Sequence, residues 1–162
     1  NEFDVILSQY GHMFAPRPSV VVKELVRVLK PGGILAFSTW PKELFMGKFF
    51  KLIESFSQPL PPEIASPVLW GDMAVIEDRL RDHFDHIEFA RDTMFAPTMS
   101  PAHMLKLFEK NAGPLANLVK ALADDPAKLS NLRNAALLLI EKFFSNNFLR
   151  QDFLMTRCVK KT

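Results

Sequence analysis

Residues 3–9 (Phe-Asp-Val-Ile-Leu-Ser-Gln) and 34–39 (Ile-Leu-Ala-Phe-Ser-Thr) are short apolar runs that do not alternate with polar residues. Such a run reads as a strand buried on both faces, as in a parallel sheet. Parallel neighbours need a crossover, most often a helix. The intervening stretch supplies one, with a stripe of Val21, Val22, Leu25, Val28 and Leu29 and Ser19 placed to cap it. Lys30-Pro31-Gly32-Gly33 ends that helix, because proline cannot continue it and glycine is free to take positive φ. A βαβ unit therefore closes within the first 39 residues, and the fold class is α/β.

Further along, residues 42–56 place Phe45, Phe49, Ile53 and Phe56 on one helical face, and a proline-rich loop follows over 58–67. Asp72 is an N-cap for a helix through His83 with Ile76 and Leu80 inward, and residues 86–93 alternate as a half-exposed strand does. Ser100-Pro101, Pro114 and Asp125-Pro126 each start a helix with proline in its first turn. Residues 153–159 form a last strand with Leu154 and Cys158 inward, and Lys160-Lys161 is a solvated tail. The expected architecture is a mixed sheet of about four strands: a parallel pair (3–9 and 34–39), then an antiparallel pair (86–93 and 153–159), with a helical insertion over 98–148. No linker divides residues 1–162.

Composition removes several classes. A chain of 162 residues with 48% hydrophobic and 23% charged content builds a core, which excludes a disordered tail or a fibrous rod. A net charge of +2 gives no reason to expect a nucleic-acid partner, and no apolar run reaches the length of a membrane span. The single cysteine, Cys158, excludes a disulfide framework and a cysteine-rich zinc site and suits a reducing, cytoplasmic setting. No histidine spacing suggests a metal site. Asn1 leads straight into a strand, so the chain reads as cut from something longer.

The segment FDVILSQYGHMFAPRPSVVVKELVRVLKPGGILAFSTW resembles the fourth-strand to fifth-strand region of class I S-adenosylmethionine-dependent methyltransferases, in the ubiquinone/menaquinone-biosynthesis-like superfamily. Ser66-Pro67, Trp70-Gly71 and Gly113-Pro114 are similar to later parts of the same family. The resemblance implies a partial Rossmann-like methyltransferase fold, S-adenosylmethionine as cofactor, and a small, apolar acceptor such as a quinone or lipid precursor. It places Ser8, Gln9 and Tyr10 beside the cofactor. His12 approaches the acceptor as the candidate general base, with Met13 and Phe14 beside it. Trp40, Phe45 and Trp70 join them as acceptor-lining candidates, Phe45 lying near the insertion that caps the cleft in relatives. Parallel sheets bind ligands at the carboxyl ends of their strands, and Ser8–Phe14 and Thr39-Trp40 occupy two such ends.

One departure matters. The family's glycine-rich cofactor loop has no counterpart among Gly11, Gly32, Gly33, Gly47, Gly71 and Gly113, and Gly32-Gly33 follows a helix rather than a strand. The chain is therefore expected to be the C-terminal part of a methyltransferase, weak or inert toward the cofactor alone. Its 3–9 strand would be an apolar sheet edge covered in a homodimer or strand-swapped assembly. The alternative is a non-catalytic interaction or scaffold domain that kept this half of the fold, with a natural start near Asn1. In the plainer reading His12 is a solvated loop histidine, the phenylalanine stripe with Phe45 is core, and Trp40 and Trp70 simply bury their large surface.

Overall fold

Leu35 and Phe37, at 0% and 2% exposure, show where the sheet is buried and fix which strand is central. The computed structural model describes residues 2–59, 61 and 64–162. Asn1 and positions 60, 62 and 63 of the proline-rich loop lie outside the described residues, and with them the expectation placed on Asn1. The chain forms two units. One comprises Asn1–Lys42, Leu60–Asp92 and Asp152–Thr162; the other comprises Glu43–Pro59 and Thr93–Gln151.

The first unit is built on strand β1 (Phe3–Gln9), helix α1 (Pro18–Val28) and strand β2 (Leu29–Thr39). β1 and β2 are parallel, with Val5 opposite Ile34 and Gln9 opposite Ser38. Pro18 stands in the first turn of α1 and Arg17 takes the cap position. The helix thus starts one residue before the expected cap, Ser19, because proline's fixed φ already suits the first helical position. β2 begins at Leu29 rather than at 34: Phe3 faces Leu29, and the register then jumps to Val5–Ile34. Residues 30–33 are accommodated in that jump, with Gly32 at φ 75°, so the turn expected there is a bulge within the strand.

Helix α3 (Met73–Leu80), which follows α2 (Phe45–Phe56) of the other unit in chain order, is capped by Asp72, whose side chain accepts from the Ala74 N–H. It buries Ile76 and Leu80 completely. Strand β3 (Phe84–Pro97) is longer than the 86–93 reading, and β5 (Phe148–Lys160), the last strand, is longer than 153–159. The order is β1-β2-β5-β3. β5 runs antiparallel to β2, with Thr39 opposite Leu154 and Ile34 opposite Val159, and it buries Leu154 and Cys158. An α/β fold with a mixed sheet of four to five strands is what the sequence implied.

Lys160 is not solvated tail. Its Nζ donates to the carbonyls of Val26 and Leu29 at 2.7 Å each, satisfying the last oxygens of α1 where a cation also suits the helix dipole. Lys161 likewise donates to the Arg81 carbonyl at 2.8 Å.

The second unit is mainly helical: α2, α4 (Pro101–Asn111), α5 (Gly113–Ala121) and α6 (Pro126–Glu141). Ser100 and Asp125 cap α4 and α6 through the His103 and Lys128 amides, as their positions before proline predicted. Phe45, Phe49 and Ile53 of α2 pack with Met104, Leu115, Leu118, Leu132 and Ile140. The short strand β4 (Phe144–Ser145) turns into β5 through Asn146 and Asn147, both at positive φ (50° and 62°). Two central residues at positive φ make the turn that matches strand twist, and asparagine tolerates it best after glycine. Without a glycine in it, this hairpin carries no strong turn signal in the sequence.

Candidate functional site

The carboxyl ends of β1 and β2 carry the residues that could do chemistry in the first unit. At the end of β1 the chain leaves the sheet through Tyr10, whose φ is 58°, an uncommon conformation for a residue with a Cβ. Its amide still donates to the Ser38 carbonyl at 3.2 Å, so the strand pairing sets the bend. Gly11 then leads into a single 3-10 turn, His12–Phe14.

Ser8 and His12 are joined by that bend. The His12 amide donates to Ser8 Oγ at 3.2 Å, and the same oxygen lies 3.0 Å from His12 Nδ1. With a lone pair of Ser8 taken by the amide, its hydroxyl hydrogen has Nδ1 as the acceptor in reach. In the tautomer in which Nδ1 accepts that hydrogen, the ring proton sits on Nε2. The ring packs edge-on against Phe37 of β2 at 4.4 Å and against Trp70 at 4.6 Å between centroids. Burial, helped by the charge of Arg79, lowers the His12 pKa to about 4, so the imidazole is neutral at physiological pH.

Trp70 reaches this place because the turn Pro67–Gly71 lies against the end of β2. A Cβ on Gly71 would stand 1.8 Å from the Trp40 carbonyl oxygen, a distance only glycine permits. Trp70 is 1% exposed, and the guanidinium of Arg79, projected from α3, lies over its ring at 4.5 Å. Burial also lowers the Arg79 pKa, with Asp78 acting in the opposite sense. His12 Nε2, Trp70 Nε1 and Arg79 Nη1 are all buried without a hydrogen-bond partner among the described residues, as is Thr39 Oγ1 at the end of β2.

Beside this cluster Tyr10 and Trp40 stack face to face, 3.9 Å apart and 2° from parallel. Burial raises the Tyr10 phenol pKa, partly offset by a hydrogen bond with Ser38. Met13 is buried at 1%, whereas Gln9 and Phe14 are exposed. The structure thus brings together Ser8, Tyr10, His12, Trp40 and Trp70 of the sequence candidates. Phe45 stands in the second unit, wholly buried, with its ring against Phe49, Phe108 and Phe143. Arg79 and Phe37 were not singled out from the sequence. An arginine on a short helix looks like any solvated charge until the fold sets it over an indole.

Cys158 is buried, and desolvation pushes its thiol up to about 12, leaving it inert. Among the described residues no three His, Cys, Asp or Glu side chains are grouped to hold a metal ion. Among the described residues no helix is long and apolar enough to cross a membrane. The described glycines do not form a nucleoside cradle either. Gly71 is filled by the Trp40 backbone, Gly33 lies against Leu29, and Gly11 has ordinary contact with Ser8. Among the described residues no glycine-rich loop is built that would cradle a whole S-adenosylmethionine molecule.

Residues 1–37 match the family model described as "Methyltransferase domain". Two uncharacterized proteins of Mycobacterium tuberculosis, Rv1403c and Rv1405c, are similar over most of the chain. The first is 28% identical over 155 residues, covering 95% of this chain and 57% of its own length. The second is 25% identical over 162 residues, covering 99% and 59%. The chain therefore spans less than two thirds of these relatives. A Bacillus halodurans crystal structure designated a methyltransferase superposes with a TM-score of 0.51 at 12% identity, over 99% of this chain and 65% of that one. The resemblance to class I methyltransferases holds on both counts: a methyltransferase-domain sequence over the first 37 residues, and the Rossmann-like methyltransferase fold along the chain.

Proposed function

We propose that this chain is the acceptor-side part of an S-adenosylmethionine-dependent methyltransferase acting in a reducing compartment. The observation that carries the reading is the family match over 1–37, which covers the strand end holding Ser8 and Tyr10 and the turn holding His12. Residues beyond this sequence, in a protein as long as its relatives, would hold most of the cofactor. S-adenosylmethionine supplies an activated methyl group when bound. The chain's own residues supply position. The Tyr10–Trp40 stack and the edges of Phe37 and Trp70 form aromatic walls for an apolar acceptor.

His12 fits hydrogen-bond donation through Nε2 better than general-base work. A conjugate acid with a pKa of about 4 is far from the range where proton abstraction is effective near neutrality, and Ser8 holds Nδ1. The free edge of β1, with Phe3, Val5 and Leu7 exposed, completes the reading. In a protein of the relatives' length further strands cover it; in the isolated chain a second copy does.

The test is calorimetric titration of S-adenosylhomocysteine into this chain and into the natural full-length product that contains it. Binding by the full-length product and none by the isolated chain is expected. No binding by either would overturn the methyltransferase reading and favour a scaffold domain, which the lack of a glycine cradle among the described residues supports.

A further inference from the structure

Among the described residues of the first unit three nitrogens stand out because each is buried and none has a partner: His12 Nε2, Trp70 Nε1 and Arg79 Nη1. They belong to one cluster. His12 and Trp70 are in edge contact at 4.6 Å, Arg79 lies 4.5 Å over the Trp70 ring, and the Arg79 charge is felt at the His12 imidazole. Trp70 Nε1 and Arg79 Nη1 can only donate, and His12 Nε2 donates in the tautomer in which Nδ1 accepts from Ser8. Buried polar groups in folded proteins find partners, and three donors cannot satisfy one another.

The charge balance points the same way. Among the described residues Arg79 makes no ion pair: Asp78, its sequence neighbour, pairs with Arg81, and Asp72 pairs with Lys42. A half-buried cation whose Nη1 is enclosed, flanked by two neutral ring nitrogens and aromatic edges, calls for an oxygen with negative charge. We infer that His12, Trp70 and Arg79 form a binding site for the oxyanion of an aromatic ligand, a carboxylate or a phenolate, whose ring packs on the aromatic residues alongside. Arg79 has the one long, flexible side chain of the three, so it is the member that moves to admit the ligand. The site stands on this geometry alone. That its natural occupant is the methyl acceptor rests on the reading given above, and it makes that acceptor amphipathic rather than purely apolar.

The probe is sodium benzoate, with benzyl alcohol as the neutral counterpart and sodium chloride at matched ionic strength. The two tryptophan indole N–H signals of the 15N-labelled chain are followed by NMR, and Trp40→Phe identifies the Trp70 signal. Benzoate is expected to shift the Trp70 indole proton saturably, whereas benzyl alcohol and chloride leave it in place. Arg79→Met should weaken benzoate by about tenfold or more, and Arg79→Lys should recover part of that loss. A Trp70 signal that ignores benzoate, or follows benzyl alcohol equally, would show the three donors to be satisfied by water alone and overturn the site. That comparison needs only the wild-type chain, so it decides even if Arg79→Met does not fold. No cofactor is present, so failure here leaves the S-adenosylhomocysteine test independent.

Discussion

The Ser8–His12 pair shows how much one hydroxyl can decide. Ser8 Oγ accepts from the His12 amide and shares a hydrogen bond with Nδ1, so it holds the turn and couples to the tautomer, with Ser8 donating when Nε2 carries the proton. Ser8→Ala is expected to mix the His12 tautomers, seen as convergence of its two ring 15N shifts; wild type should show a protonated Nε2. His12 also couples stability to pH. Its pKa is about 4 in the folded chain and about 6.5 unfolded, so between those values the unfolded chain binds more protons. This contribution is complete above pH 6.5 and is lost as pH falls toward about 4. The full loss is at most about 3 kcal/mol, less what partial solvent access screens. Urea midpoints at pH 7 and pH 4.5 should differ less in His12→Gln than in wild type. The position of His12 in a loop at a strand end was legible in the sequence. Its burial was not, because Trp70 and Arg79, which cover it, stand 58 and 67 residues further on.

Two elements depend on single positions. The turn Pro67–Gly71 is held to the end of β2 by the missing side chain at Gly71, where an added Cβ would meet backbone rather than a flexible side chain. Gly71→Ala should destabilise the chain by more than about 3 kcal/mol and change Trp70 fluorescence, both measurable in one denaturation series. In the helical unit Phe45 is 0% exposed among three other phenylalanine rings. Phe45→Ala should cost about 3–5 kcal/mol by loss of buried area and an unfilled cavity, checked by thermal unfolding. That phenylalanine face of α2 was readable from its spacing. A helix stripe announces burial and does not announce against what, so acceptor contact and core packing looked alike until the partners Phe108 and Phe143 were in place.

At the scale of the whole molecule, the open flank of the first unit is the main liability. β1 ends the sheet order, and a groove of about 600 Å³ runs beside it, lined by Phe3, Val5, Ile6, Val20, Val21 and Leu25 among others. An apolar edge of this kind pairs with whatever strand is offered. Sedimentation velocity of the isolated chain should show a concentration-dependent dimer, and Leu7→Lys, at a position 77% exposed, should shift it to monomer with little loss of stability. A wild-type chain that stays monomeric across the micromolar range would remove self-association from the account.

Local chemistry determined a good part of this protein. Apolar runs set β1 and the body of β2, proline in the first turn set the starts of α4 and α6, and Asp72, Ser100 and Asp125 capped their helices where expected. Each of these signals acts over a few neighbouring residues, which is why sequence suffices to read it. Tertiary structure decided the rest. It placed β5 against β2, gave Lys160 the end of α1 to satisfy, and set Trp70 and Arg79 against His12. Those outcomes depend on contacts between residues far apart in the chain, where desolvation and donor pairing are settled only once packing has brought the groups together.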